Sequence, residues 1–176
     1  MTLIVILGVE SVGKTTLARE LSAFFGGQFL PEFGRSYCEI NGTDCSADDL
    51  LLIGRWQQHN IEAALADHDL VISDTDALMT AAWAKMMLGY DIPELFAARK
   101  ADLYLYCAAD TPFVNDGLRV YGDPHDRARF DTVTRSVLAQ AGIRPVTLRG
   151  TWEVRKRTAI AAIRELLEPA PISLPS

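Results

Sequence analysis

Between Gly8 and Thr16 the chain reads Gly-Val-Glu-Ser-Val-Gly-Lys-Thr-Thr. Two glycines bracket four residues and are followed by Lys14 and Thr15, the spacing of a phosphate-binding loop. Gly8 and Gly13 permit backbone shapes that turn N–H groups inward around an anion, and Glu10, Ser11 and Thr16 complete the predicted nucleotide contacts. Lys14 supplies a point charge for the outer phosphates, and the Thr15 hydroxyl is a candidate magnesium ligand. A nucleoside triphosphate such as ATP, carried with Mg2+, is the natural occupant.

Transfer of a phosphoryl group requires a metal anchor, a group that orients or deprotonates the attacking hydroxyl, and cations around the moving phosphoryl. Acids in suitable places are Glu32, Asp74 with Asp76, and Asp110, each at the carboxyl end of a predicted strand. Asp74 directly follows an apolar run and fits the magnesium role; its alternative reading is a helix N-cap. Glu32 is the first candidate for the base, with an exposed loop acid as its alternative, and Asp74 and Asp76 stay open for the same role. Arg35 lies next to Glu32. Arg119, Arg127 and Arg129 fall in an aperiodic, charged segment from Asp110 to Arg129, expected to be a lid that folds over the nucleotide. The alternative for that segment is a solvated loop whose arginines pair with Asp123, Asp126 and Asp131. The predicted catalytic set is Lys14, Glu32, Asp74 and Arg119.

These residues need elements to hold them. The run Leu3 to Leu7 reads as a buried strand, and Leu17, Leu21 and Phe24 recur at helical spacing behind the loop. The helix N-terminus thus adds its unpaired N–H groups to the anion site. Gly26-Gly27 ends that helix, and Gln28 to Pro31 is a short second strand that delivers Glu32 to its end. Asn41 to Asp44 is a loop. Ser46 and Asp49 have capping-box spacing for a helix reaching about Leu65, and the Gln57 and Asn60 amides within its apolar stripe are expected to satisfy buried backbone. Leu70 to Ile72 is a third strand, followed by a helix carrying Leu78, Ala82, Trp83 and Met86. A short helical piece through Ala98, a fourth strand Leu103 to Cys107, a helix ending near Ala141, a fifth strand Arg144 to Leu148 and a last helix Trp152 to Leu167 complete the pattern. Strands that alternate with helices imply a parallel sheet covered on both faces, whose carboxyl ends share one edge.

With 176 residues and 49% hydrophobic content, the chain suits a single α/β domain over residues 1–168, followed by a Pro-rich tail over 169–176. A net charge of −6 argues against a nucleic-acid or membrane-surface partner, which requires a positive field. No apolar run approaches the ~20 residues of a membrane helix. Cys38, Cys45 and Cys107 have no close paired spacing, so reduced thiols and a cytoplasmic setting are expected. His59, His68 and His125 are too scattered for a zinc site.

The stretches GVESVGKTTLA, EFGRSY, ISDTDALMTAAW, DLYLYCAADTPFVNDGLR and GTWEVRKR together resemble the nicotinamide riboside kinase domain of NadR-type proteins, P-loop kinases of NAD salvage. The resemblance runs from Met1 to about Leu167. It implies a three-layer fold with a sheet of about five strands in the order 2-3-1-4-5, a lid bearing arginines, and ATP with Mg2+ as phosphoryl donor. Where related domains often have Trp after the proline of Asp-x-Pro, this sequence has Phe113, which retains a stacking face. In that family the kinase domain is joined to an adenylyltransferase domain and sometimes to a DNA-binding segment. Neither is expected in these residues, so dinucleotide synthesis and repression are not carried over.

Nicotinamide riboside has a cationic ring, and a site combining Glu32, Asp76, Asp110 and Asp116 with Phe33, Trp83 and Phe113 offers charge attraction and cation–π contact. With Arg35 these form the predicted substrate set. The readings that remain are a nicotinamide riboside kinase, a kinase for another nucleoside or small alcohol, and an ATP-driven switch or sensor. A GTPase switch is disfavoured, since no Asp-x-x-Gly follows the third strand and no Asn-Lys-x-Asp occurs.

Overall fold

The computed structural model describes residues 1–110 and 123–168. Its elements are β1 (Thr2–Leu7), α1 (Lys14–Phe25), β2 (Gln28–Leu30), α2 (Phe33–Asn41), α3 (Ala47–Asp67), β3 (Leu70–Asp74), α4 (Ala77–Leu88), α5 (Pro93–Phe96), β4 (Leu103–Cys107), α6 (Pro124–Gln140), β5 (Val146–Leu148) and α7 (Trp152–Leu167).

The five strands form one sheet in the order β2-β3-β1-β4-β5, parallel throughout, as the resemblance implies. In β1, Leu3 to Leu7 are wholly buried, because a central parallel strand is covered on both faces and has no polar side to present. Ile4 sits in register with Ile72 of β3 on one side and Leu103 of β4 on the other. From β1 the chain crosses outward to β2 through α1, then turns back through α3, α4 and α6 toward β5. Right-handed crossovers in opposite directions put α1 on one face and α3, α4 and α6 on the other. α7 returns to pack beside α1.

Two elements differ from the sequence reading. α2 stands where no helix is expected. None of its nine residues is fully buried; the short stripe of Phe33, Tyr37 and Cys38 only half-buries itself against the core and spans too few turns to stand out in the sequence. α6 begins at Pro124, which corrects the loop expected to run on to Arg129: Asp123 caps the helix by accepting from the N–H groups of His125 and Asp126, and Pro124 occupies the first helical position. Arg127 and Arg129 are therefore helical residues. The expected lid residues Phe113, Asp116 and Arg119, and the tail over 169–176, lie outside the described residues. Among the described residues, no helix is long and apolar enough to cross a membrane.

Candidate active site

The loop between β1 and α1 is shaped by close contacts. Gly8 has φ of 142°, and a Cβ there would lie 2.5 Å from the Cys107 carbonyl oxygen. Gly13, with φ of 86°, would place a Cβ 2.8 Å from the Trp152 ring. Side chains at either position would push the loop off the sheet end. Lys14 Nζ donates to the Val9 carbonyl at 3.0 Å, lying back across the loop. Thr15, in the first turn of α1, donates to Asp74 Oδ2 at 2.5 Å.

A cleft of about 540 Å³ opens on this edge. Its phosphate end is lined by Gly8, Glu10, Ser11, Gly13, Lys14 and Thr15, with Thr16 and Arg19 beyond. Glu32, Arg35 and Asp74 stand across from that loop. The far end is apolar, built by Met79, Trp83 and Met87 of α4 with Phe130 of α6. Trp83 and Phe130 pack with ring centroids 4.4 Å apart.

The two acids of the cleft hold different electrostatic positions. Glu32 occupies the N-cap position of α2, yet its side chain caps nothing, which leaves the carboxylate facing the cleft. Loss of hydration pushes its carboxyl from 4.5 up to about 7; Lys14 and Arg35 oppose the rise, while Asp74 and Glu10 add to it. Asp74 is almost fully buried. Burial raises its carboxyl as well, against the pull of Lys14 and the Thr15 hydrogen bond. Its Oδ1 is enclosed with no hydrogen-bond partner among the described residues. An ionisable oxygen left bare beside a threonine hydroxyl is a donor set suited to a hard divalent cation.

A buried amide fixes the two acids relative to each other. Gln57 of α3 accepts from the Phe33 N–H at 2.7 Å, where α2 starts. It donates to the Pro31 carbonyl at 3.4 Å and to Ser73 Oγ at 3.1 Å. Ser73 Oγ in turn donates to the Thr75 carbonyl at 2.7 Å, bracing the residue after Asp74 in its left-handed conformation, φ 72°. One side chain thus ties the segment bearing Glu32 to the strand bearing Asp74, the backbone-satisfying role expected of an amide in that stripe.

Several predicted substrate residues are placed elsewhere. Asp76 is the N-cap of α4: Oδ1 accepts from the N–H groups of Leu78 and Met79, and Oδ2 from the Tyr104 hydroxyl at 2.7 Å. The capping role considered for Asp74 therefore belongs to its neighbour two residues on. Asp110 pairs with Arg155 and accepts from the Gly150 N–H at 2.9 Å, joining the ends of β4 and β5. The Phe33 ring stacks on Trp56 at 5.9 Å rather than lining the cleft. Arg127 is buried and reaches the carbonyls of Ala109 and Glu10, each at 3.4 Å; it braces the phosphate loop from behind. Arg129 is exposed on α6, and Arg35 extends along α2 to Glu39 at 3.4 Å from its place at the cleft.

Sequence reasoning missed Arg19, Met79, Met87 and Phe130 in the cleft, and Arg155 beneath it. Arg19 lies one helical turn beyond Thr15, a spacing that could have found it. α4 is buried nearly all round, so its sequence does not mark which face meets a ligand.

A parallel 2-3-1-4-5 sheet with a phosphate loop after its central strand and an acid at the end of the adjoining strand defines a P-loop protein of the kinase fold. A family model described as an AAA domain (AAA_28) matches residues 3–155, and the chain belongs to that family. Curated relatives include the trifunctional NAD biosynthesis/regulator proteins NadR of Salmonella typhimurium and Escherichia coli, each 28% identical over 174 residues, covering 93% of this chain and 42% of the relative. Among solved structures, a NadR protein in complex with NR superposes with a TM-score of 0.81 at 25% identity, over 99% of this chain and 54% of the other. A thymidylate kinase from Ehrlichia chaffeensis, with a TM-score of 0.67 at 16% identity over 92% of this chain and 98% of its own, shares the fold. The chain thus spans about half the length of the NadR proteins it matches, or less.

Proposed function

We propose that residues 1–168 form an ATP-dependent kinase that transfers the terminal phosphoryl group of ATP to the 5′-hydroxyl of nicotinamide riboside. The observation that carries the reading is the cleft itself: a phosphate loop, a bare buried carboxylate oxygen and a second, raised carboxylate face one another beside an aromatic end. Likeness over nearly the whole chain to NadR proteins, one of them solved with NR, supports the acceptor.

In this reading the loop N–H groups and Lys14 hold the phosphates, while Arg127 keeps the loop braced. Thr15 and Asp74 are the residues that would hold Mg2+, which when bound supplies positive charge to neutralise phosphate oxygens. Glu32 accepts the hydrogen bond of the acceptor hydroxyl and takes its proton as the phosphoryl group departs. Trp83 and Phe130 offer the riboside ring an aromatic wall that excludes water. Arg119, which lies outside the described residues, is proposed from the charged segment of the sequence as the cation for the transferred group. The free thiols of Cys38, Cys45 and Cys107 support a cytoplasmic setting.

The test is a panel of ribosides with ATP and Mg2+. One phosphorylated riboside per ATP consumed, greatest with nicotinamide riboside and abolished by chelating the metal, is the expected result. A different nucleoside phosphorylated in preference would replace the acceptor, and phosphate release independent of any acceptor would replace the kinase with a switch. Lys14→Ala should lower turnover at least ~100-fold while circular dichroism stays native.

A further inference from the structure

We propose that Cys38 and Cys45 are a redox modification site, closing a reversible disulfide that disables the acceptor end of the cleft; the effect on catalysis rests on the kinase reading above. The two sulfurs are 4.0 Å apart and both cysteines line the cleft. A disulfide needs ~2.05 Å, so closure requires an approach of about 2 Å between the sulfurs.

The surroundings allow that approach. Cys38 is in the last turns of α2, and Cys45 immediately precedes Ser46, the N-cap of α3. They are joined by an exposed turn in which Gly42 has φ of 87° and open space on its Cβ side. α2 has no fully buried residue; it packs on the core through half-buried Phe33, Tyr37 and Cys38 and is tied to α3 by the Tyr37 hydroxyl donating to Asp49, so an approach of this size slides these contacts without opening the core. Cys38 is half-buried at the cleft wall, within reach of a small disulfide. Cys45, 7% exposed, is placed to attack from behind, whereas Cys107, 1% exposed, is shut under the sheet end.

The co-reactant is a low-molecular-weight disulfide of the oxidised glutathione class. The Cys38 thiolate attacks one of its sulfurs, forming a mixed disulfide and releasing one thiolate. The Cys45 thiolate then attacks Cys38 Sγ, and the second thiolate leaves. Two protein thiols are oxidised, one small disulfide is reduced to two thiols, and the two protein protons pass to the leaving groups. Burial pushes the Cys38 thiol up to about 12 and raises Cys45 also, which makes the pair slow at neutral pH and faster as pH rises. The device answers sustained oxidation.

Glu32 is the N-cap residue of the helix that carries Cys38, and Gln57 holds the Phe33 N–H beside it, so drawing α2 toward Cys45 pulls the acceptor-facing carboxylate against that anchor. Lys14 and Thr15 stand on α1 and keep their places. Oxidation therefore acts on the acceptor and spares the nucleotide.

The experiment incubates the chain with oxidised glutathione at pH 8 and measures intact mass, a non-reducing peptide map, riboside kinetics and affinity for a non-hydrolysable ATP analogue. A loss of about 2 Da from the protein, mapped to Cys38 with Cys45 and reversed by dithiothreitol, is expected. With it the riboside KM should rise several-fold and kcat fall, at unchanged analogue affinity. Cys38→Ser should keep its own untreated activity through the same exposure, whereas Cys45→Ser should stop at the mixed disulfide on Cys38 and gain the mass of one glutathionyl group. In the parent chain, a stable glutathione adduct without ring closure, or reaction at Cys107, overturns the pairing. Complete pairing with unaltered riboside kinetics overturns the control. The mass readout needs no kinase activity, so a failed acceptor panel and a failed disulfide remain distinguishable.

Discussion

Glu32 and Asp74 share a cleft, and their chemistry separates on one residue's hydrogen bond. Asp74 Oδ2 is engaged by Thr15, while Glu32, unspent as a cap, keeps a carboxyl raised to about 7. As the proposed base, Glu32 must be ionised, so kcat/KM should climb with pH through about 7, where burial sets its ionisation. In Glu32→Gln that limb should vanish from the pH profile, and kcat should fall within the ~10²–10⁴-fold range of a general base at intact analogue binding. Stability carries the opposite sign. The folded chain keeps this proton up to about 7, whereas the unfolded carboxyl releases it near 4.5; the favourable contribution is complete below 4.5 and is lost as pH rises through 7. Ligand-free Glu32→Gln should consequently melt higher than the parent at pH 8 and match it near pH 4. At this scale the phosphate loop was fully legible, because its residues act through types and spacing alone. The acids were only half legible. That Asp76 caps α4 and Asp74 does not depends on which carboxylate meets Tyr104 of β4, a partner 28 residues away.

Elements position these residues through few contacts, and Gln57 is the clearest case. Gln57→Leu should leave the Phe33 N–H without its partner and remove the bond that Ser73 Oγ accepts, costing about 1–3 kcal/mol in urea unfolding, with a fall in kcat larger than any change in analogue affinity. An unaltered kcat at that loss of stability would reduce Gln57 to a core residue. The strands and the longer helices could be read from the chain because burial imposes period and length. α2 was not, since its nine residues are at most half-buried, and the start of α6 went unread although Asp123-Pro124 is a helix-opening pair in plain sight. Charge density in that segment suggested loop; cap chemistry decided otherwise.

Across the molecule, the site depends on strands being joined at one edge. Arg155, 1% exposed, donates to Ala108 and Gly150 carbonyls and pairs with Asp110, locking β4 to β5 behind the phosphate loop. Asp110→Asn should cost about 2 kcal/mol, below the range for a wholly enclosed pair because the Asp110 side chain is 41% exposed, and thermal unfolding measures it. Strand order was not in the periodicity at all; only the resemblance supplied it, since pattern identifies strands but not their neighbours. The order matters for how the chain is made. Trp152, at the head of the last helix, is what the bare face of Gly13 leans on, so a motif completed within the first 16 residues takes its shape from a side chain translated long afterwards. Ribosome-stalled chains of increasing length should gain a fluorescent ATP analogue only once Trp152 and the turns after it have emerged, and binding by chains that stop at β3 would refute the dependence. During synthesis, the first part of the site to be written is the last to work.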